Sequence, residues 1–237
     1  MRFYRPIKPV RAMTFDLDDT LYNNEPIIRH ADQVLKAHLE QHYPAAAQLT
    51  LKQWRDIKRT LIAETPALAS DMGELRLRSL RVALKDDISG DLLHRAAREC
   101  FEVFYHARSD FQVSNEVHQT LSALSSSIPL IGITNGNVNA RQIGIAPYFT
   151  HILHASLARP MKPHRAMFDE AAALAGRAPG SILHVGDNLI KDIHGAMQAG
   201  YQSAWYACNR TMNLSREPAR ELPHLALDAL EELTWLI

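Results

Sequence analysis

Cysteine is nearly absent: only Cys100 and Cys208 occur in 237 residues. They stand far apart and in no metal-type spacing, which excludes a disulfide framework and points to a reducing compartment with both thiols as small core residues. No apolar run approaches eighteen residues, so no membrane span is expected. The opening Met1–Val10, interrupted by Pro6 and Pro9, lacks the apolar stretch of a signal peptide, and a cytoplasmic location is expected. Net charge is also missing: 26 Lys and Arg balance 26 Asp and Glu, and no basic stripe marks a nucleic-acid binder. Repeats and low-complexity tracts are absent, and the twelve histidines are read as showing no HxxxH-type spacing, so zinc is not expected. What is present, 46% apolar and 22% charged residues, is the composition of a soluble globular protein of one domain, or one domain with an insertion.

Two textures divide the chain. The first consists of short apolar runs that stop in polar or glycine residues: Ala12–Leu17, Ile128–Ile133, His151–Ala155, Ile182–Val185, Ser203–Ala207 and the shorter Leu225–Leu227. Runs of this length read as buried strands. Helical patterns such as Ala166–Leu174 and Ile193–Ala199, closed by Gly176 and Gly200, lie between the later ones. Strands alternating with helices predict a parallel sheet of five or six strands, covered on both faces.

The second texture fills residues 23–108. It holds no convincing strand; apolar positions recur at helical spacing, as in Leu77, Leu80 and Leu84, and Pro44, Pro66 and Ser89-Gly90 break it into about four helices. So long a stretch between two strands is too large for a loop. It predicts a helical insertion with its own small core, set over the sheet's carboxyl edge, with residues 1–22 and 109–237 forming the α/β domain beneath.

Ligands of open parallel sheets bind where strands end. Four of the expected strands lead to Asp16 and Asp18, to Thr134 and Asn135, to Lys162, and to Asp187. An Asp-x-Asp-x-Thr string alone could be a polar turn with a helix cap, but here an apolar strand delivers both carboxylates to one side of the chain. With Asp187 added, like charges about 4 Å apart cost about 4 kcal/mol per pair, so the cluster calls for a divalent cation, a shared proton, or both. Magnesium suits hard oxygen ligands and a phosphate partner. A carboxylate beside a metal-bound phosphate ester is a competent nucleophile. Asp18 is placed to protonate the leaving alkoxide and then deprotonate water, and Thr134, the Asn135 backbone N–H and Lys162 supply donors to the phosphoryl oxygens. Asp192, at the start of a helical pattern, fits either an N-terminal cap or a supporting role beside Lys162 or the metal's waters.

In order and content, Asp16-Leu17-Asp18-Asp19-Thr20-Leu21, Thr134-Asn135-Gly136, Lys162-Pro163 and Gly186-Asp187-Asn188-Leu189-Ile190-Lys191-Asp192 resemble the four motifs of the haloacid dehalogenase-like (HAD) superfamily. The resemblance implies a Rossmann-like core with an inserted all-helical C1-type cap, Asp16 as nucleophile and magnesium ligand, Asp18 as acid and base reaching the metal through its backbone carbonyl, and Asp187 as a further ligand. The superfamily's dehalogenases lack the second aspartate of the first motif, so Asp18 implies phosphoryl chemistry; hydrolysis of a phosphorylated small molecule is expected, the alternatives being a phosphatase for phosphoglycolate, a sugar phosphate or a nucleotide, then a phosphomutase or a catalytically silent protein that binds phosphorylated ligands. The opening Met1–Pro6, Thr14–Tyr22, Ile133–Asn137, Ile182–Asp187 and the Leu222-Pro223-His224-Leu225 ending are similar to bacterial members that dephosphorylate 5-amino-6-(5-phosphoribitylamino)uracil and FMN in riboflavin biosynthesis. Asn188 departs from the acidic residue expected there.

Specificity is expected from the insertion. Glu74–Arg81 sets three arginines on one helix, and either Arg76 or Arg78 is expected to reach substrate, unless this is a solvated face with a Glu74–Arg78 pair. His184 reads as a hydrogen-bonded core histidine, Trp205 and Tyr206 as core packing, and His164, Asn23 and Asn24 as residues near the rim. A monomer or small homo-oligomer is expected.

Overall fold

Burial on both faces turns the short apolar runs into strands, since a parallel strand covered by helices has no solvent face to leave polar. The computed structural model describes all residues, Met1–Ile237. Its strands are β1 (Arg2–Phe3), β2 (Ala12–Phe15), β3 (Leu130–Thr134), β4 (His151–His154), β5 (Ile182–Gly186), β6 (Gln202–Trp205) and β7 (Leu225–Ala226). They form one sheet in the order β1-β7-β6-β5-β2-β3-β4. Every neighbouring pair is parallel except β1 and β7. The expected strands are therefore all present, and β1 is an addition. Two exposed residues with no periodicity to read, it exists only because β7 offers an unpaired edge.

Helices α1 (Asn24–His42), α2 (Pro44–Ala47), α3 (Leu51–Glu64), α4 (Met72–Ala83) and α5 (Asp91–Arg108) make up the insertion, and α6 (Asn115–Ser125), α7 (Ala166–Ala175) and α8 (Gly195–Gln198) flank the sheet. Their starts follow local chemistry. Asn23 accepts from the Glu25 N–H, Asp71 from that of Glu74 and Ser114 from that of Val117, while Thr50 and Gln53 form a reciprocal capping box. The pattern read as one helix over Ile193–Ala199 instead begins as a π-helical turn, Leu189–His194, before α8. Asn188 caps this turn by accepting from Ile190 and Lys191, and Asp192 faces inward from it.

Alternation along the strands divides the core. Met13, Phe15, Leu183 and Val185 pack with Leu121 and Leu124 of α6 on one face. Ala12, Ile131, Ile133 and Ile182 pack with Met167, Phe168 and Ala171 of α7 on the other. The insertion has a separate cluster from Ala31, Leu35 and Leu39 of α1, Leu80 and Ala83 of α4, and Ala96, Ala97, Cys100 and Phe104 of α5. Helix α3 buries none of its residues. Replacing fully buried Leu80 by Ala is expected to cost about 2–5 kcal/mol in urea-induced unfolding.

Candidate active site

The parallel register brings the ends of β2, β3 and β5 side by side, Phe15 pairing with Gly132 and with Val185. Asp16 follows immediately and donates its N–H to the Val185 carbonyl at 2.9 Å. Its side chain is almost wholly buried, and Oδ1 accepts from Lys162 Nζ at 2.6 Å. The same ammonium donates to Asp192 Oδ1 at 2.6 Å and to the Ile133 carbonyl at 2.7 Å, so all three of its protons are used. Asn135 fixes the lysine's backbone with its whole amide. Oδ1 accepts from the Lys162 N–H at 2.8 Å, and Nδ2 donates to the Lys162 carbonyl at 3.1 Å. The Lys162–Pro163 peptide is cis.

Asp192 belongs to this network, and its carboxylate lies on Lys162. Besides Lys162 it accepts from His184 Nε2 at 3.2 Å and from the Asn188 N–H at 2.9 Å. An ionised carboxylate only accepts, so His184 carries its proton on Nε2 and takes the Thr14 hydroxyl on Nδ1 at 2.8 Å. Burial holds His184 below its usual range and therefore neutral, the core role expected of it. Burial opposes the charge of Asp192, but Lys162 and His184 outweigh it and keep the carboxyl well below the usual range. Asp16 is pushed well above that range, by burial first, against the pull of Lys162. Gly186 is required beside Asp192, since a Cβ there would collide with the Asp192 side chain.

Asp187 lies at the other wall. Burial and then Asp192 push its carboxyl up to about 6. Arg210 Nη1 donates to its Oδ2 at 2.9 Å, and Arg210 Nη2 and the Trp205 indole donate to its backbone carbonyl at 2.9 and 2.7 Å. Trp205 thus packs the core, as expected, and also aims this loop.

Asp18 points away from the acidic cluster. Its Oδ1 accepts from the Tyr22 hydroxyl at 2.7 Å and from Arg108 Nη2 at 2.5 Å. Its Oδ2 sits over Gly136, where a Cβ would collide with it. Gly136 donates its N–H to the Thr134 hydroxyl at 2.9 Å. Tyr22 and Arg108 stand at the two crossings between sheet and insertion. Sequence reading missed them, and missed Arg210, because nothing local distinguishes a tyrosine or arginine that will meet a distant carboxylate.

Above these groups is a cavity of about 380 Å³, floored by Asp16, Asp18, Thr134, Asn135, Lys162 and Asp187. Asn24, Ile28, Lys58, Leu75, Arg76, Phe104 and Arg108 come down from the insertion. Of the two candidate arginines, Arg76 lines the cavity. It lies 3.4 Å over the Phe104 ring and donates to Asp32 Oδ1 at 3.1 Å. Arg78 does not line it, and pairs with Glu74 at 2.7 Å. His164 lies outside and accepts from the Ala166 N–H. Asn23 caps α1, whereas Asn24 lines the cavity with its Oδ1 buried and unpartnered.

Asp16, Asp187 and Asp192 present carboxylate oxygens within 4.8 Å of one another. An all-oxygen set of this kind fits magnesium. Asp16 and Asp187, two of the expected ligands, belong to this cluster, whereas the Asp18 side chain turns to Tyr22 and Arg108 and Asp192 completes the group. His38 and His42 do stand four residues apart on α1, their rings 4.6 Å apart, a spacing that weighs against setting zinc aside on histidine pattern. They gather no third ligand, so the acidic cluster is the one metal-competent group.

The sequence model of the haloacid dehalogenase-like hydrolases matches residues 10–200. The chain belongs to that family, and among its members it is a phosphatase-type enzyme. Over the full length of both chains it is 33% identical to the 5-amino-6-(5-phospho-D-ribitylamino)uracil phosphatase YigB of Escherichia coli. A solved structure described as a 2-haloacid dehalogenase from Pseudomonas syringae superposes with a TM-score of 0.89 at 34% identity, covering 96% of this chain and 97% of that one. The HAD-hydrolase YfnB from Bacillus subtilis, described as bound to magnesium, shares the fold at a TM-score of 0.64 and 22% identity, covering 97% and 99%.

A ligand that binds only the folded state raises stability by RT ln(1 + [L]/Kd), about 2.7 kcal/mol at a hundredfold Kd. Magnesium is therefore expected to raise the thermal unfolding temperature of the wild type, and Asp187→Asn to abolish most of that shift. Because the Asp187 carboxyl sits up to about 6, the ion competes with a proton on the acid side. The shift should be full above that pH and shrink as pH falls through it, which calorimetry at several pH values checks.

Proposed function

We propose that this chain is a magnesium-dependent phosphomonoester hydrolase that works through an aspartyl phosphate on Asp16, and that it dephosphorylates 5-amino-6-(5-phospho-D-ribitylamino)uracil and FMN in riboflavin biosynthesis. The observation that carries the chemistry is the arrangement of Asp16 and Asp18 on one cavity floor, Asp16 bound to the Lys162 ammonium and Asp18 held by Arg108 and Tyr22. The observation that favours the substrate is full-length identity to YigB.

Asp16 attacks phosphorus as the bond to the leaving alkoxide breaks, and Asp18 gives that alkoxide its proton. Asp18, now a carboxylate, takes a proton from water; the water oxygen bonds to phosphorus and Asp16 departs as carboxylate. The Thr134 hydroxyl and the Asn135 N–H donate to the phosphoryl oxygens, and Lys162, whose three protons go to Asp16, Asp192 and the Ile133 carbonyl, adds its positive charge nearby. Magnesium, held by Asp16, Asp187 and the Asp18 carbonyl, would add charge neutralisation there. Residues 23–108 act as a cap over the core of residues 1–22 and 109–237, excluding bulk water during phosphoryl transfer. Arg108 and Asn24 line the cavity, and each carries a buried unpartnered atom, Nη1 and Oδ1, that would suit a substrate contact.

The likeness to a structure described as a dehalogenase favours a second reading, halide displacement. Asp18 argues against it, because a halide leaves without a proton and needs no acid. Release of phosphate from the ribityl uracil phosphate and FMN, with no halide from 2-chloropropionate, is the expected result; the reverse would overturn the proposal. Asp16→Asn should lower phosphate release by on the order of 10³-fold or more. Arg108→Ala should lower kcat about 10–100-fold on an alkyl phosphate. It should do less on p-nitrophenyl phosphate, whose phenolate departs without protonation, and equal losses would show that Arg108 does not act through Asp18.

A further inference from the structure

A second cavity, of about 510 Å³, lies within the insertion between α1, α3 and α4, and nothing in the chemistry above uses it. Its walls are mainly apolar, with Leu35, Leu39, Leu49 and Trp54 among them. Helix α3 buries none of its residues, and Trp54, half-buried against the insertion's cluster, forms one wall of the cleft. The catalytic cavity and this cleft share two walls, Lys58 and Arg76.

Each helix runs from one cavity to the other. On α1, Ile28 lines the catalytic cavity and Leu35 the cleft, seven residues and so about 10 Å apart along the axis. On α3, Trp54 lies one turn before Lys58 on the same face. Lys58 makes no ion pair, whereas Arg76 is pinned by Phe104 and Asp32. Two cations therefore stand at the boundary, one of them free to meet a neutral or anionic acceptor.

We infer that the cleft between α1, α3 and α4 is the subsite for the heterocyclic ring of the leaving group, with the polyol chain passing Lys58 and Arg76 on its way from the phosphate. This rests on the ribityl phosphate reading. The two cavities adjoin at Lys58 and Arg76, so a chain extending from the phosphate reaches the cleft past these two cations. An aromatic ring gains from the flat face of Trp54 and the leucines, and the carbonyls of a pyrimidinedione or flavin accept from the two cations. A short carboxylate-bearing leaving group would end inside the catalytic cavity and leave the cleft unused.

The test compares FMN with ribitol 5-phosphate, the same chain without a ring, in the wild type, in Trp54→Ala and in Ala47→Trp, which fills the cleft from another wall. The wild type should prefer FMN. Both variants should lose about tenfold or more in kcat/KM on FMN, mostly through KM, and stay within about twofold on ribitol 5-phosphate. Retained preference for FMN in both variants, or equal losses on the two substrates, overturns the ring subsite while leaving the substrate reading in place. A wild type that turns over phosphate esters but shows no preference for FMN overturns that reading, and the subsite with it.

Discussion

One buried ammonium organises the site. Lys162 is sealed from solvent between Asp16 and Asp192, and without it two carboxylates would face each other in a low-dielectric interior. Removing one partner from such a set typically costs 3–5 kcal/mol, because an uncompensated charge stays behind. Other features follow from keeping this set in place. Asn135 spends both halves of its amide on the Lys162 backbone, His184 and Thr14 extend the network into the sheet, and the π-helical turn carries Asp192 inward. The contrast between the two neighbouring aspartates has the same origin: Asp192 has several donors, whereas Asp16 has mainly the one it shares.

On the other side of Asp16 the arrangement links chemistry to the insertion. Tyr22 and Arg108 lie where the chain leaves and rejoins the sheet, and both donate to one oxygen of Asp18. Any shift of the insertion about these crossings alters the support of the proposed acid and base. Gly136 contributes by having no side chain, which lets the Asp18 carboxylate approach the Thr134 loop. The insertion has a hydrophobic cluster of its own, separate from those of the sheet.

Much of this was legible in the chain. Asp16, Thr134, Lys162 and Asp187 each follow an apolar run, and all four meet at one sheet edge. Their types and order sufficed because strand ends in a parallel sheet share an edge. Arg76 and Arg78 were not separable, since both lie on the same stretch of helix and only the packing of Phe104 and Asp32 selects Arg76. The opening of α8 as a π-helical turn was equally hidden, for it depends on where Asp192 must point.

By itself, then, the amino-acid order determined the strand and helix pattern, the helical nature of residues 23–108, and the set of carboxylates and the lysine that follow the strands, because these depend on hydrophobic period, helix caps and residue type over short spans. Tertiary structure alone decided which side chains support them. Arg108 meets Asp18 across a separation of 90 residues, Arg210 meets Asp187 across 23, and Lys58 and Arg76 join two cavities only once α3 and α4 are packed together. Contacts of this kind follow from how helices and strands dock, and no local period records that.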